Sequence, residues 1–317
     1  MIDVAHHLRR RERWRLIEFA FWLAIVAVIA AFPARAALIN EMLVAGLFAL
    51  SLDLILGLTG VVSLGHAAFF GLGAYTAAIT AAAGWNDPLL GLVAAIVPAA
   101  LVGLLTAPLL LRGADLTRLM VTMGVALMLG ELANKNAWLT GGADGLNFAV
   151  APLFGRFSLG SMGVGPRNAA LFSLAVLFVL FAIARRLRNS PFGVSLEGLR
   201  ENRLRAGALG VDTSRRIVAV YALSAAYAGV AGALSAETTQ IVSLDLFDFH
   251  RSADVMLMLI IGGAGWLYGG VIGAAMFIGV RDVVSSATPE YWEFWIGLML
   301  VVLVLAGRER LTARFRR

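Results

Sequence analysis

Apolar residues run through this chain in long stretches, and at 1.5 Å per helical residue about 20 of them cross the roughly 30 Å hydrocarbon core of a bilayer. These stretches predict membrane helices near residues 16–34, 37–57, 60–83, 88–111, 115–137, 167–187 and 214–240, with a last one near 290–306. The run from Val255 to Val280 is too long for one ordinary span and too short for two. Its middle reads Gly262-Gly263-Ala264-Gly265-Trp266-Leu267-Tyr268-Gly269-Gly270, and glycine disfavours helix interiors, so the run is expected to break there. The pattern predicts an all-α integral membrane protein: a polytopic helix bundle of about eight to ten transmembrane segments, with broken or re-entrant glycine-rich segments among them.

Charge placement orients this bundle, because Lys and Arg beside apolar helices stay on the cytoplasmic side. If 255–280 were one helix, 16 of the 26 Lys and Arg would lie inside; two short limbs that return the chain to the outside place 20 inside and 6 outside. The broken arrangement is therefore expected. It gives a basic cytoplasmic N-terminus at 1–15, a transmembrane domain at 16–306 with a cytoplasmic loop at 188–213, and a basic cytoplasmic tail at 307–317. Arg9 to Arg15 followed by an apolar stretch and Ala34-Arg35-Ala36 imitates a cleavable signal. An apolar core of about 17 residues exceeds the usual signal h-region, so a retained first span is expected.

Composition agrees: 60% of residues are hydrophobic and 15% charged, with mean hydropathy +0.84, against about a quarter charged in soluble domains. A net charge of +6 would point to nucleic acid in a soluble protein. Here the arginines flank apolar runs where anionic lipid headgroups attract them, so the partner is the lipid bilayer and no nucleic acid is expected. The absence of cysteine excludes disulfides and thiolate metal sites. The single lysine, Lys135, follows Asn134, so the chain has no G-x-x-x-x-G-K-[ST] phosphate loop. It does not hydrolyse ATP by itself, and no cofactor or metal is expected on it.

One polar segment stands apart. Arg185 to Arg216 carries eight Arg against three acidic residues. Ser195 reads as an N-cap, Leu196, Leu199, Ala206 and Leu209 fall at helical spacing, and Gly210 suits the position after a helix end. These residues predict a short amphipathic helix, supported by Glu197 with Arg200 and Glu201 with Arg205, before Asp212 or Thr213 caps the next span. A segment of this kind is a docking surface for a soluble partner; its plainer reading is a solvated interhelix loop.

A second glycine-rich stretch, Gly57 to Tyr75, lies in the first half of the chain. Paired interrupted segments mark binding sites in repeat-built transporters, although these two share glycine content and an aromatic rather than an aligned string. Backbone N–H groups at a broken helix suit a carboxylate, which makes Ser63, Gly65 and Gly263 pathway candidates, with Phe69, Phe70 and Trp266 as apolar neighbours. His66 is a lone histidine within an apolar run; such groups are functional candidates, but packing or loop fixation at a helix crossing is the expected role. Asp53, Glu131 and Asp254 are carboxylates in or near apolar runs that need partners or water. For Asp53, a polar path and a structural hydrogen bond stand level.

Four stretches together resemble the permeases of branched-chain amino acid ABC importers: Leu199 to Gly210, GLTGVVSLGHAAFFGLGAYTAA, TGGADGL (Thr140 to Leu146) and IIGGAGWLYGGVIGAAMF. Glu201 and Gly207 match that family's glutamate followed six residues later by glycine. The broader importer pattern of glutamate and two alanines is absent, Asn202 and Arg203 standing there. The resemblance implies a bacterial inner-membrane subunit that works with a second permease subunit, two cytoplasmic ATP-binding subunits carrying ATP-Mg, and a periplasmic or lipid-anchored substrate-binding protein. It also implies ATPase coupling through Arg200, Glu201, Arg205, Gly207 and Gly210. Two neighbouring readings remain: an ion-coupled secondary transporter acting without an ATPase, and a permease for urea or short amides. An intramembrane Ser–His hydrolase is disfavoured because no G-x-S-x-G elbow occurs.

Overall fold

The computed structural model describes residues 16–111, 115–160, 165–287, 289–291, 294–295, 297–298 and 301. The segments expected at 1–15 and 307–317, and most of the span expected at 290–306, lie outside the described residues. Besides the single turn Ala137–Thr140, the α-helices are α1 (Leu16–Ala31), α2 (Ala36–Thr59), α3 (His66–Ala82), α4 (Pro88–Leu111), α5 (Asp115–Lys135), α6 (Gly165–Asn189), α7 (Pro191–Glu201), α8 (Arg203–Ala208), α9 (Thr213–Thr239), α10 (Phe249–Gly262) and α11 (Leu267–Ala287). Among the described residues, six helices are long and apolar enough to cross a membrane: α2, α4, α5, α6, α9 and α11. The protein is an all-α, multi-pass membrane protein.

Two helices form the axis of the bundle. The most apolar windows of α2 and α9 are 83% and 78% buried, whereas that of α5 is only 11% buried, so α5 presents its apolar side chains outward, as a lipid-facing helix does. Small residues let the central helices approach closely. A β-carbon on Gly73 of α3 would sit 2.0 Å from the Gly229 carbonyl oxygen of α9, and one on Gly229 would sit 2.5 Å from Ala99 Cβ of α4.

Hydropathy predicts one helix over 60–83, but the structure starts α3 at His66. Gly60, with φ of 72°, closes α2 in a left-handed C-cap by donating its N–H to the Leu56 carbonyl at 2.9 Å. Residues 60–65 then run non-helically, turning from the exposed Gly60 into the protein, with Val61, Ser63 and Gly65 buried. Their backbone finds side-chain acceptors: the Leu64 N–H donates to Thr122 Oγ1 at 3.2 Å and the Val61 N–H to Thr59 Oγ1 at 3.3 Å. Irregular backbone at membrane depth persists only with such partners.

The second expected break is present. α10 ends at Gly262, Gly263 and Gly265 adopt φ of 102° and 85°, and α11 begins at Leu267. Glycines hold the two limbs together: a β-carbon on Gly262 would meet the Gly269 carbonyl oxygen, and one on Gly273 the Met258 carbonyl oxygen, both under 2 Å away. Arg251 near the start of α10 and Arg281 near the end of α11 line one cavity, so the limbs return the chain to the side from which it came.

Ion pairs mark the two ends of the bundle. Glu18 with Arg185, and Arg188 with Glu197 at 3.2 Å, lie at the end carrying α7 and α8. Glu41 with Arg281, and Arg35 with Asp282 at 3.6 Å, lie at the opposite end. There a two-residue antiparallel ribbon pairs Leu146 with Val242 and ties the segment after α5 to the end of α9.

Candidate functional site

The polar segment folds as two helices rather than one. Ser190, not Ser195, is the N-cap: its Oγ accepts from the Gly193 N–H at 3.3 Å and Pro191 occupies the first helical position. Asn202 interrupts the expected helix with φ −156° and ψ 105°, and its Oδ1 accepts from the Arg205 N–H at 2.9 Å to start α8. Asparagine competes with helical backbone in this way. Ser195 instead accepts from the Arg216 guanidinium. Leu196, Leu199 and Ala206 are buried as their spacing predicts, but Leu209 is 79% exposed. Gly210, at φ 84°, and Asp212, whose carboxylate accepts from the Arg215 N–H at 3.1 Å, behave as expected.

The expected intrahelical pairs give way to longer reaches. Glu197 pairs with Arg188. Arg200 leaves the segment altogether: its Nη1 donates to the Gly57 carbonyl at 2.7 Å. That carbonyl belongs to the last turn of α2, where carbonyls lack helical partners and a cation complements the helix dipole. On the way, Arg200 Cγ passes 3.4 Å from where a β-carbon of Gly60 would sit, and Nη1 lies 2.6 Å from the equivalent point on Gly265. One arginine of α7 thus touches both glycine breaks.

Asp53 completes this junction. Its carboxylate, buried in α2, accepts from the Gly265 N–H at 2.6 Å. A β-carbon on Gly57 would lie 2.5 Å from Asp53 Oδ1 and 2.9 Å from Gly265 N, so the contact exists only because Gly57 has no side chain. Gly263 is the other half of the break, capping α10 through its N–H to the Leu259 carbonyl at 2.8 Å. Glu201, Arg205, Gly207 and Gly210 lie exposed on the surface of α7, α8 and the turn after them, beside Leu204, which is 88% exposed.

His66 and Ser63 sit elsewhere, fully buried at the start of α3. His66 Nε2 lies 2.8 Å from Ser224 Oγ of α9, and Nδ1 lies 3.2 Å from Ser63 Oγ. Because the Ser224 hydroxyl gives its hydrogen to the Ser51 carbonyl of α2, it accepts from Nε2–H. Nδ1 then accepts from Ser63, which is the neutral imidazole with both nitrogens used. Gly65 fits the crossing because a β-carbon there would lie 2.2 Å from the Thr122 carbonyl oxygen. Neither serine is a poised nucleophile: Ser224 spends its hydrogen on a backbone carbonyl, and the site is closed to solvent.

A cavity of about 560 Å³ lies at the end opposite α7 and α8, between α2, α6, α9, α10 and α11. Ser63, Gly65, His66, Asp53 and Gly263 do not line it, whereas Asp254 and Phe70 do. The sequence signal for it was present but unread: Glu41 and Arg281 are charges inside apolar helices, and such charges face protein or water. Among the remaining candidates, Phe69 is packed in the core, Trp266 is 54% exposed, and Glu131 pairs with Lys135 at 3.7 Å.

Comparison with known proteins decides the family. A family model described as branched-chain amino acid transport system / permease component matches residues 34–304. The chain belongs to this family. It is similar to the high-affinity branched-chain amino acid transport system permease protein LivM of Salmonella typhimurium, 32% identical over 282 residues, covering 81% of this chain and 64% of that protein. LivM of Escherichia coli strain K12 is 31% identical over the same extents. LivH of the same strain, also named a high-affinity branched-chain amino acid transport system permease protein, is 24% identical over 82% of this chain and 87% of its own. The chain thus spans somewhat less than two thirds of the LivM relatives. No solved structure matches significantly. The family favours neither the ion-coupled carrier nor the urea or short-amide permease.

Proposed function

We propose that this chain forms the membrane path of an importer for branched-chain amino acids, moved by ATPases that grip α7 and α8. Three features support this reading: the family match over 34–304, the named activity of the LivM and LivH relatives, and the junction at Arg200. The junction is the observation that carries it, since a helix serving only as a surface loop has no need of an arginine reaching 143 residues back to Gly57.

In this reading α7 and α8 face the cytoplasm, as do both termini, and the cavity faces outward. The partners are a second permease subunit, two cytoplasmic ATP-binding subunits holding ATP-Mg, and a periplasmic or lipid-anchored binding protein. The chain itself carries no cofactor and performs no catalysis. Closure of the ATPases displaces α7, and Arg200 transmits that displacement to Gly57 and Gly265. The two glycine breaks then change angle, and access passes from the outer cavity to the cytoplasm. Coupling needs no more than the relocation of a few hydrogen bonds, each worth about 0.5–3 kcal/mol, well within what ATP hydrolysis supplies.

The test is Glu201→Lys in the reconstituted complex. Insertion in the membrane is expected to persist while ATPase co-purification and ATP-driven uptake are lost. Wild-type uptake rates in that variant, or uptake by this chain alone along an ion gradient, would overturn the proposal.

A further inference from the structure

The outer cavity changes character along its depth on three separate helices. On α2 the lining passes from Glu41 to Val44 and Phe48; on α10 from Arg251 and Asp254 to Val255 and Met258; on α11 from Arg281 to Ile278. In each case the charged position lies nearer the outer end of its helix and the apolar position nearer the glycine break. The cavity therefore has a rim of two cations and two anions over an uncharged floor. The floor is shaped by the Phe48 and Phe70 rings, whose centroids are 4.7 Å apart. Glu41 and Arg281 pair across the rim from different helices, and the Ser173 hydroxyl donates to Asn40 Oδ1 from α6, so the lining is held from several sides.

We infer that this cavity is itself a binding site for an amino-acid zwitterion with an aliphatic side chain, and that the membrane chain discriminates among side chains rather than leaving selection to a binding protein. The inference rests on the importer reading and deepens it. A rim with balanced charge suits a ligand that carries one carboxylate and one ammonium: Arg251 is placed for the carboxylate and Asp254 for the ammonium, beside the Glu41–Arg281 pair. Charge-assisted hydrogen bonds of this kind orient a ligand strongly. The floor then receives the side chain. An aliphatic group buries there favourably, while a charged one would be desolvated without a partner. A volume of about 560 Å³ falls in the range usual for small-ligand sites.

The experiment uses the whole transporter complex in nanodiscs and in proteoliposomes. Radiolabelled leucine is expected to bind the complex in nanodiscs without binding protein or ATP, with lysine and glutamate competing at least tenfold less well. Asp254→Asn with Arg251→Gln is expected to lower that binding tenfold or more, and Met258→Trp, which fills the floor, to abolish it; co-purification of every subunit in one size-exclusion peak reports whether each variant complex has assembled. Since the chain has no cysteine, Val44→Cys can be labelled from outside in the assembled complex, and leucine should protect it. Absence of leucine binding to the assembled complex, unchanged binding in the variants, or cross-linking of Val44→Cys to the second permease would overturn the inference. ATP-driven leucine uptake by wild type in proteoliposomes separates the two readings: if it persists while the cavity results fail, the importer stands and the cavity site falls.

Discussion

The carboxylate of Asp53 accepts the backbone N–H of Gly265, 212 residues further along the chain, at 2.6 Å. This one contact fixes the tip of the α10–α11 hairpin to the side of α2 at the point where Arg200 arrives from α7. A hydrogen bond to a charged acceptor contributes about 1.5–3 kcal/mol, and losing the acceptor leaves a desolvated donor. Asp53→Ala is therefore expected to lower stability by about 1.5–3 kcal/mol, seen as a lower denaturation midpoint in detergent, and to reduce ATP-driven uptake more than insertion. Asp53→Asn keeps an acceptor and should fall between the two. An alanine variant as stable as wild type would remove Asp53 from the junction.

The helix crossing of α3 and α9 yields a contrast between two glycines. Gly73→Ala would bring a β-carbon to 2.0 Å from the Gly229 carbonyl oxygen, a backbone atom that cannot swing away. Overpacking of this kind costs about 1–3 kcal/mol and at times more. Gly207→Ala meets nothing within 4 Å and gains helix propensity of roughly 0.5–1 kcal/mol in α8. Thermal scans of the two purified variants should move in opposite directions. Equal shifts would show that α3 and α9 have room for a β-carbon at Gly73.

The sequence carried the long spans well because bilayer thickness imposes one length and one polarity on a crossing helix, and α4 and α5 begin where hydropathy places them. It carried the break at Gly263 because glycine density coincides with a run of awkward length. The glycine-rich stretch from Gly57 pointed to an interruption, but not to its extent over 60–65: Val61 and Leu64 are as apolar as any helix interior, and the hydroxyls of Thr59, Ser63 and Thr122, the last brought by tertiary structure, make the non-helical backbone tolerable. Arg200 and Asp53 were noticed for residue type, but their meeting at Gly57 and Gly265 depends on packing between segments far apart in the chain. Ser224 and Ser51 gave no local signal at all, since serine in an apolar helix ordinarily bonds its own backbone.

His66 is a pin between α3, α9 and α2, and its removal should read as a structural loss. His66→Leu leaves the buried hydroxyls of Ser63 and Ser224 each short of one partner, and Ser224→Ala leaves Nε2–H unpaired. Each is expected to cost about 1–3 kcal/mol. Because both variants break the same link, the double variant should cost less than the sum of the single ones. KM for leucine uptake should stay at its wild-type value in whatever fraction inserts. A rise in KM without loss of thermal stability would instead place His66 on the substrate path.

Glu237 offers the opposite case, a carboxyl whose replacement should help. It is 2% exposed near the C-terminal end of α9, and neither oxygen has a hydrogen-bond partner among the described residues. Oε1 packs where a β-carbon of Gly91 would stand, 2.3 Å away, so the side chain fills space against α4 without electrostatic return. Burying a polar group that lacks a hydrogen bond is costly, and an apolar group of similar shape avoids that cost. Glu237→Met is expected to raise the denaturation midpoint by the equivalent of about 1–3 kcal/mol with uptake unchanged. A stabilised variant that has lost uptake would show that the strain at Glu237 serves transport, and a destabilised one that the carboxyl has a partner the packing does not reveal.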